Sequence, residues 1–232
     1  MARPSKQIGW SQEANLYYEL LKQLERLTAV MSKVTLGPVT PSIPSVTIGT
    51  QIWSLRNLDV ETYRNGDPIP QVTDATEWAN LTTGAWCYYL NSSANGLIYG
   101  KLYNWYAVND PRGLAPEGWH IPTNSEWTTL SNFLGGLPVA GGAMKEAGTT
   151  NWLAPNTDAT NSSGLTILPS GNRFFLAIPN QFSFLTTSGY YWSSTSLTAT
   201  TAGIRWVWNT DGILRDTAYN KKGGLAVRLV KD

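Results

Sequence analysis

Residues 119–134 read Trp-His-Ile-Pro-Thr-Asn-Ser-Glu-Trp-Thr-Thr-Leu-Ser-Asn-Phe-Leu. The spacing of Trp127, Leu130 and Leu134 predicts a helix over residues 124–134, with Asn124 as its cap. Working outward, the pattern changes to strand and loop. Upstream, Val46-Thr47-Ile48-Gly49-Thr50-Gln51-Ile52-Trp53 alternates like a strand and a turn leading into a second strand. Downstream, residues 141–147 suggest a second short helical turn. Residues 151–189, rich in Asn, Thr, Ser and Gly, read as long loops with short strands. Strand character returns at 190–194 and at 204–208, where the chain turns at Asn209-Thr210-Asp211-Gly212, and again at 225–230. Strands scattered between helices and long ordered loops predict an α+β domain over residues 46–232.

The N-terminal part differs in kind. Ser11 fits an N-cap and Glu13 the first turn of a helix over residues 11–35. Its apolar stripe, Tyr17, Leu20, Leu24, Leu27, Met31 and Val34, advances in alternating steps of three and four, the heptad pattern of a helix that pairs with others. Leu16, Leu21 and Val30 widen that stripe. The width suits three or more strands, a homotrimer first, or docking onto a larger body; packing onto the chain's own C-terminal domain is the competing reading. Pro38, Pro41 and Pro44 then favour an extended spacer. The chain therefore divides into an anchor and oligomerisation helix (1–36), a Pro-rich linker (37–45) and the α+β domain (46–232).

Composition narrows the function classes. Hydrophobic residues make up 42% and charged residues 14%, enough apolar content for a core and too little charge for a disordered chain. Seventeen basic against sixteen acidic residues give no electrostatic case for nucleic acid or an anionic membrane. No run of about 18 apolar residues predicts a membrane-spanning helix, and residues 1–12 lack the apolar core of a signal peptide. A single cysteine, Cys87, can form neither an internal disulfide nor a thiolate zinc site, which suits a reducing compartment. The 11 Trp, 11 Tyr and 21 Gly point to a loop-rich fold that packs or presents flat rings.

Several blocks resemble one family. Ile48-Gly49-Thr50-Gln51-Ile52-Trp53 with Arg56-Asn57-Leu58 is similar to the start of the Fibrobacter succinogenes major paralogous domain. The same holds for Gly100-Lys101-Leu102-Tyr103-Asn104-Trp105-Tyr106-Ala107-Val108 and for Ala115-Pro116-Glu117-Gly118-Trp119-His120-Ile121-Pro122-Thr123 with Glu126-Trp127. It holds too for Tyr191-Trp192-Ser193-Ser194 and for Val227-Arg228-Leu229-Val230-Lys231-Asp232. The resemblance implies a C-type-lectin-like fold, related to formylglycine-generating enzymes and to the variable receptor-binding proteins of diversity-generating retroelements. Where the family often has a cysteine near its end, this chain has Leu229. Family members are usually exported. Lys6-Gln7-Ile8-Gly9-Trp10-Ser11, Asn15-Leu16 and Leu21-Lys22-Gln23-Leu24 resemble N-termini of virion proteins from phages of Bacteroidetes, including crAss-like phages. A virion protein is made in the host cytoplasm and released by lysis.

The residues offer little for catalysis. Formylglycine-type chemistry needs more than one cysteine, and Cys87 in Trp86-Cys87-Tyr88-Tyr89 reads as a buried, inert thiol. His120 has no second His or Cys near it and reads as structural. Asn156-Thr157-Asp158 and Asn209-Thr210-Asp211 could give calcium oxygen ligands, as in C-type lectins; ordinary turns are the plainer reading, and a structural calcium stays open. For binding, strand parity places Ile204, Trp206 and Trp208 on one face, read as core. It leaves Arg205, Arg215, Asp216, Tyr219 and Asn220 as candidate ligand contacts, with the polar Ser196–Gly203 loop beside them. The expected function is a non-enzymatic phage virion protein, a head-fibre or tail-associated decoration. Its N-terminus meets other virion proteins and its lectin-like domain meets a host-surface glycan or protein. A bacterial secreted or surface adhesion module is the alternative.

Overall fold

The computed structural model describes residues 12–31, 42–178 and 181–232. The chain forms two compact units, residues 1–42 and 43–232. In the first, helix α1 spans Gln12–Met31. Along it Leu16, Tyr17, Leu20, Leu24 and Leu27 are all exposed, so the heptad stripe is an open apolar surface. The expected cap Ser11, Val34 and the Met31 side chain lie outside the described residues.

In chain order the strands of the second unit are β1 (Ser45–Ile48), β2 (Gln51–Ser54), β3 (Trp86–Cys87), β4 (Leu102–Tyr103), β5 (Trp119–His120), β6 (Ser170–Arg173), β7 (Phe182–Leu185), β8 (Ser188–Ser196), β9 (Thr201–Trp208), β10 (Arg215–Asn220) and β11 (Val230–Lys231). The helices are α2 (Ala75–Asn80), α3 (Ser93–Tyr99), α4 (Trp105–Val108), α5 (Asn124–Phe133) and α6 (Leu137–Met144). The fold is α+β. One sheet runs β1-β2-β11-β5, so the first hairpin and the last strand lie side by side, with Val230 between Trp53 and His120. The larger sheet runs β10-β9-β8-β6-β7 and is antiparallel except where β6 meets β8.

Local chemistry explains where these elements start and stop. Thr123, not Asn124, caps α5. Its Oγ1 accepts from Glu126 N while the Glu126 carboxylate accepts from Thr123 N, the reciprocal box that a Thr-x-x-Glu spacing allows. Helix α6 begins before the turn expected at 141, because Gly135 and Gly136 take φ of +97° and +93° and Pro138 sits in the first turn. Residues 225–230 do not make a continuous strand. Only Val230–Lys231 does, with single bridges at Leu225 and Ala226. The segment instead threads between two cores.

Those cores lie on opposite faces of the larger sheet. One gathers Trp127, Leu130, Met144, Tyr191 and Val207 beneath α5 and α6. The other gathers Trp86, Tyr103, Trp105, Trp192 and Ile204 beneath the loops between β2 and β5. Long loops stay ordered only if their buried backbone groups find partners. Here polar side chains supply them. Asn104 accepts from Ala85 N and Ala107 N, and Arg173 donates to the carbonyls of Val72, Thr73 and Asp74.

His120 ties the C-terminus to the start of α5. Its Nε2 lies 2.6 Å from Glu126 Oε1 and its Nδ1 2.7 Å from Asp232 Oδ1. Burial alone would push the imidazole down, but the hydrogen bonds and charges of Asp232 and Glu126 outweigh it and raise the pKa above the ordinary 6.5. A raised folded pKa gives stability that is complete below the unfolded value and lost as pH rises through the folded one. The melting temperature should therefore fall as pH rises from the unfolded imidazole value through the raised one. His120→Gln should flatten that slope, and a slope that survives in the variant would assign it to other groups.

Candidate functional site

The register of the larger sheet sorts its side chains. Tyr190 stands opposite Trp206, Ser188 opposite Trp208 and Arg215 opposite Trp206, so these share one face with Trp192, Ile204 and Tyr219. Tyr190 and Trp206 stack with centroids 5.5 Å apart and planes at 13°. Trp208 lies 5.5 Å from Trp206, and Phe184 on β7 lies 6.0 Å from both Tyr190 and Trp208. Trp206, Trp208 and Tyr219 are half-buried, and Phe184 is 37% exposed. Loops cover this face only in part, leaving aromatic rings at the surface.

Polar groups frame the rings. Arg215 holds its guanidinium 4.5 Å from the Trp206 ring centre, as a cation over an aromatic face. It is fixed there by Asp211, whose oxygens accept from Arg215 at 2.5 and 3.0 Å and whose carboxyl that bonding holds below the usual range. Tyr219 packs edge-on against Trp192 and Phe175, and its hydroxyl accepts from Asn172 Nδ2 at 2.8 Å. Burial pushes that phenol up to about 12. The buried Asn172 Oδ1 has no hydrogen-bond partner among the described residues. Flat rings with a few fixed polar groups can stack on the C–H face of a sugar or take an apolar side chain, while the polar groups set orientation.

The structure brings together only part of the expected set. Arg215 and Tyr219 lie on the aromatic face. Arg205, Asp216 and Asn220 point to the opposite face by the same register. Arg205 is not a surface residue: it is 1% exposed, pairs with Asp216 Oδ1 at 2.6 Å and donates to Asn124. Trp206 and Trp208, expected as core, are partly buried, and Trp206 packs against the core that holds Trp192 and Ile204. Parity separates two faces but cannot say which one the helices cover, and here α5 covers the arginine side. The exposed part of the expected loop is residues 196–200, the last residue of β8 and the turn before β9. Phe174, Phe175 and Phe184 escaped the sequence reading because the Asn, Thr, Ser and Gly content of residues 151–189 outweighs the apolar run Phe174-Phe175-Leu176-Ala177-Ile178 within it.

Other candidate groups have structural places. Cys87 is fully buried, and burial pushes its thiol up to about 11, where it is a poor nucleophile. The two Asn-Thr-Asp segments do meet, with Thr157 N donating to Asn209 O at 2.8 Å. Calcium does not fit between them. Asp211 is committed to Arg215, Asn156 and Asn209 turn their amide nitrogens to backbone carbonyls, and the carbonyls of Thr157 and Asp211 accept from the ammonium of Lys145. Among the described residues no group of three or more His, Cys, Asp or Glu is placed to hold a metal ion, and no helix is long and apolar enough to cross a membrane.

Comparison with known families matches residues 46–231 to the Fibrobacter succinogenes major domain. No curated protein and no solved structure matches the chain.

Proposed function

Because the chain belongs to the Fibrobacter succinogenes major domain family, we propose that it is a non-catalytic display protein of a phage virion, whose C-terminal domain binds a host-surface molecule, a glycan first, through the aromatic face. The observation that carries the binding reading is the partly buried group Trp206, Trp208 and Tyr219, with exposed Phe184 beside them and Arg215 fixed over Trp206. Neighbouring rings that keep part of their area at the surface of a domain with three core clusters support a use outside the core. A C-type-lectin-like fold is supported by the pairing of the first hairpin with the last strand, and by the larger sheet formed late in the chain. The virion setting is supported by the N-terminal resemblance and by the open heptad stripe of α1, through which we infer that copies join as trimers. Several weak sites on one particle then act together.

The test uses the full chain and purified particles. Adsorption to host cells and binding to a glycan array should fall about thirtyfold or more on Trp206→Ala with Trp208→Ala, the loss of about 2 kcal/mol or more that marks an interface anchor. Light scattering should give a trimer for the native chain and a monomer for Leu20→Lys with Leu24→Lys. Antibodies to the domain should decorate intact particles. Undiminished adsorption by a folded tryptophan variant would reject this face, and bare particles would move the protein to a bacterial surface.

A further inference from the structure

Lys145 follows directly on α6 and is fully buried. A buried ammonium is costly unless every N–H is bonded. Two glycines in α6 bring it to its partners. A Cβ on Gly142 would stand 2.4 Å from Asp158 O, and one on Gly141 2.7 Å from the Ile213 carbonyl carbon, so only a bare backbone lets the helix lie against both loops. Lys145 Nζ then donates to Thr157 O at 2.8 Å, Trp208 O at 2.9 Å and Asp211 O at 2.8 Å. An ammonium has three donors, and here three carbonyls satisfy them. The Trp152 ring centre lies 5.4 Å away. Burial pushes the group down to about 8; Asp211 and Asp158 pull it up, and Arg215 opposes them.

The donor set describes the ion it suits. Calcium takes six to eight oxygens at about 2.3–2.6 Å, usually with several carboxylates. This cage is made of main-chain carbonyls at 2.8–2.9 Å, the spacing of an ammonium. We propose that residues 157 and 208–211 form a monovalent-cation site which the chain fills with its own side chain, and that Lys145 is thereby a positioning residue for the aromatic face. The second half rests on the binding reading above. Its route is short. One of the three carbonyls belongs to Trp208 itself, and another to Asp211, whose carboxylate holds Arg215 over Trp206.

The experiment compares the full chain with Lys145→Ala and Lys145→Met. Lys145→Ala empties the cage, whereas methionine fills the space without supplying donors. Ammonium chloride and potassium chloride should raise the melting temperature of Lys145→Ala saturably, as a ligand that binds only the folded state does. Tetramethylammonium chloride at equal ionic strength should not, and Lys145→Met should respond to none of them. Should Lys145→Ala fail to fold alone, recovery of folded protein with ammonium is the same readout. A response to ammonium and potassium no larger than to tetramethylammonium overturns the cation site. In the native chain, a slowly exchanging ammonium resonance from one lysine, lost in Lys145→Met, is expected in nitrogen-15 spectra; its absence also overturns the site. These readouts need no ligand and so stand apart from the binding reading. Cell binding by Lys145→Ala should fall and return with ammonium, and binding unchanged while stability falls overturns the positioning role.

Discussion

Methionine in place of Arg228 should cost the C-terminal domain about 3–5 kcal/mol, because four buried neutral oxygens lose their charged donor at about 1–3 kcal/mol each before the structure relaxes. For a chain of this size that corresponds to a melting temperature lower by roughly 10–15 °C. Arg228 is fully buried and its guanidinium ties the chain's end to two distant segments. It donates to Asn57 Oδ1 at 2.8 Å, Ser54 O at 2.7 Å, Leu165 O at 3.1 Å and Thr166 O at 2.9 Å. Methionine replaces the stem and leaves those oxygens buried without a donor, each a desolvation cost of about 1–3 kcal/mol before any water enters. Thermal and urea unfolding of the full chain would measure the loss, with the exposed Lys231→Met as a control near wild type. A variant within about 1 kcal/mol of wild type would mean that water reaches the cage, as the lower end of that range allows.

Alanine in place of Trp192 should cost a similar amount, about 3–5 kcal/mol, by a different route. The ring is completely buried, and its Nε1 donates to Tyr103 O at 2.8 Å. Truncation opens a cavity in the core under the β2–β5 loops and removes a donor. Tyr103 O keeps its bond from Leu225 N, so the cavity is the larger part of the cost. Tyr219 rests edge-on against the same ring, so binding through the aromatic face should weaken as well. Trp192→Phe should restore most of the stability and the support for Tyr219. A melting temperature unchanged by the alanine variant would show that the neighbouring rings close over the gap. Trp206 differs from Trp192 in keeping part of its ring at the surface, so its loss should show in binding more than the loss of Trp192 does.

Much of the architecture could be read locally. Helix α5 announced itself through Trp127, Leu130 and Leu134, and β1, β2, β8 and β9 through alternation, because each depends on a repeat of a few residues. The family blocks, spread from Ile48 to Asp232, carried the domain's identity, which the match over residues 46–231 shows. The heptad of α1 was equally plain, being a pattern along one helix. Register alone split Arg215 and Tyr219 from Arg205, Asp216 and Asn220, because that depends on which residues face each other across strands. Which face of β9 meets water depended on where α5 packs, and that contact joins residues 81 apart in the chain. The Lys145 cage needed three carbonyls from residues 12, 63 and 66 positions away. Sequence by itself determined the family and the elements just named, since short-range periodicity and residue identity encode both. Tertiary structure alone decided which rings stay at the surface and which cation sits between the two turns, because main-chain carbonyls carry no residue type and are aimed only by the folded loops.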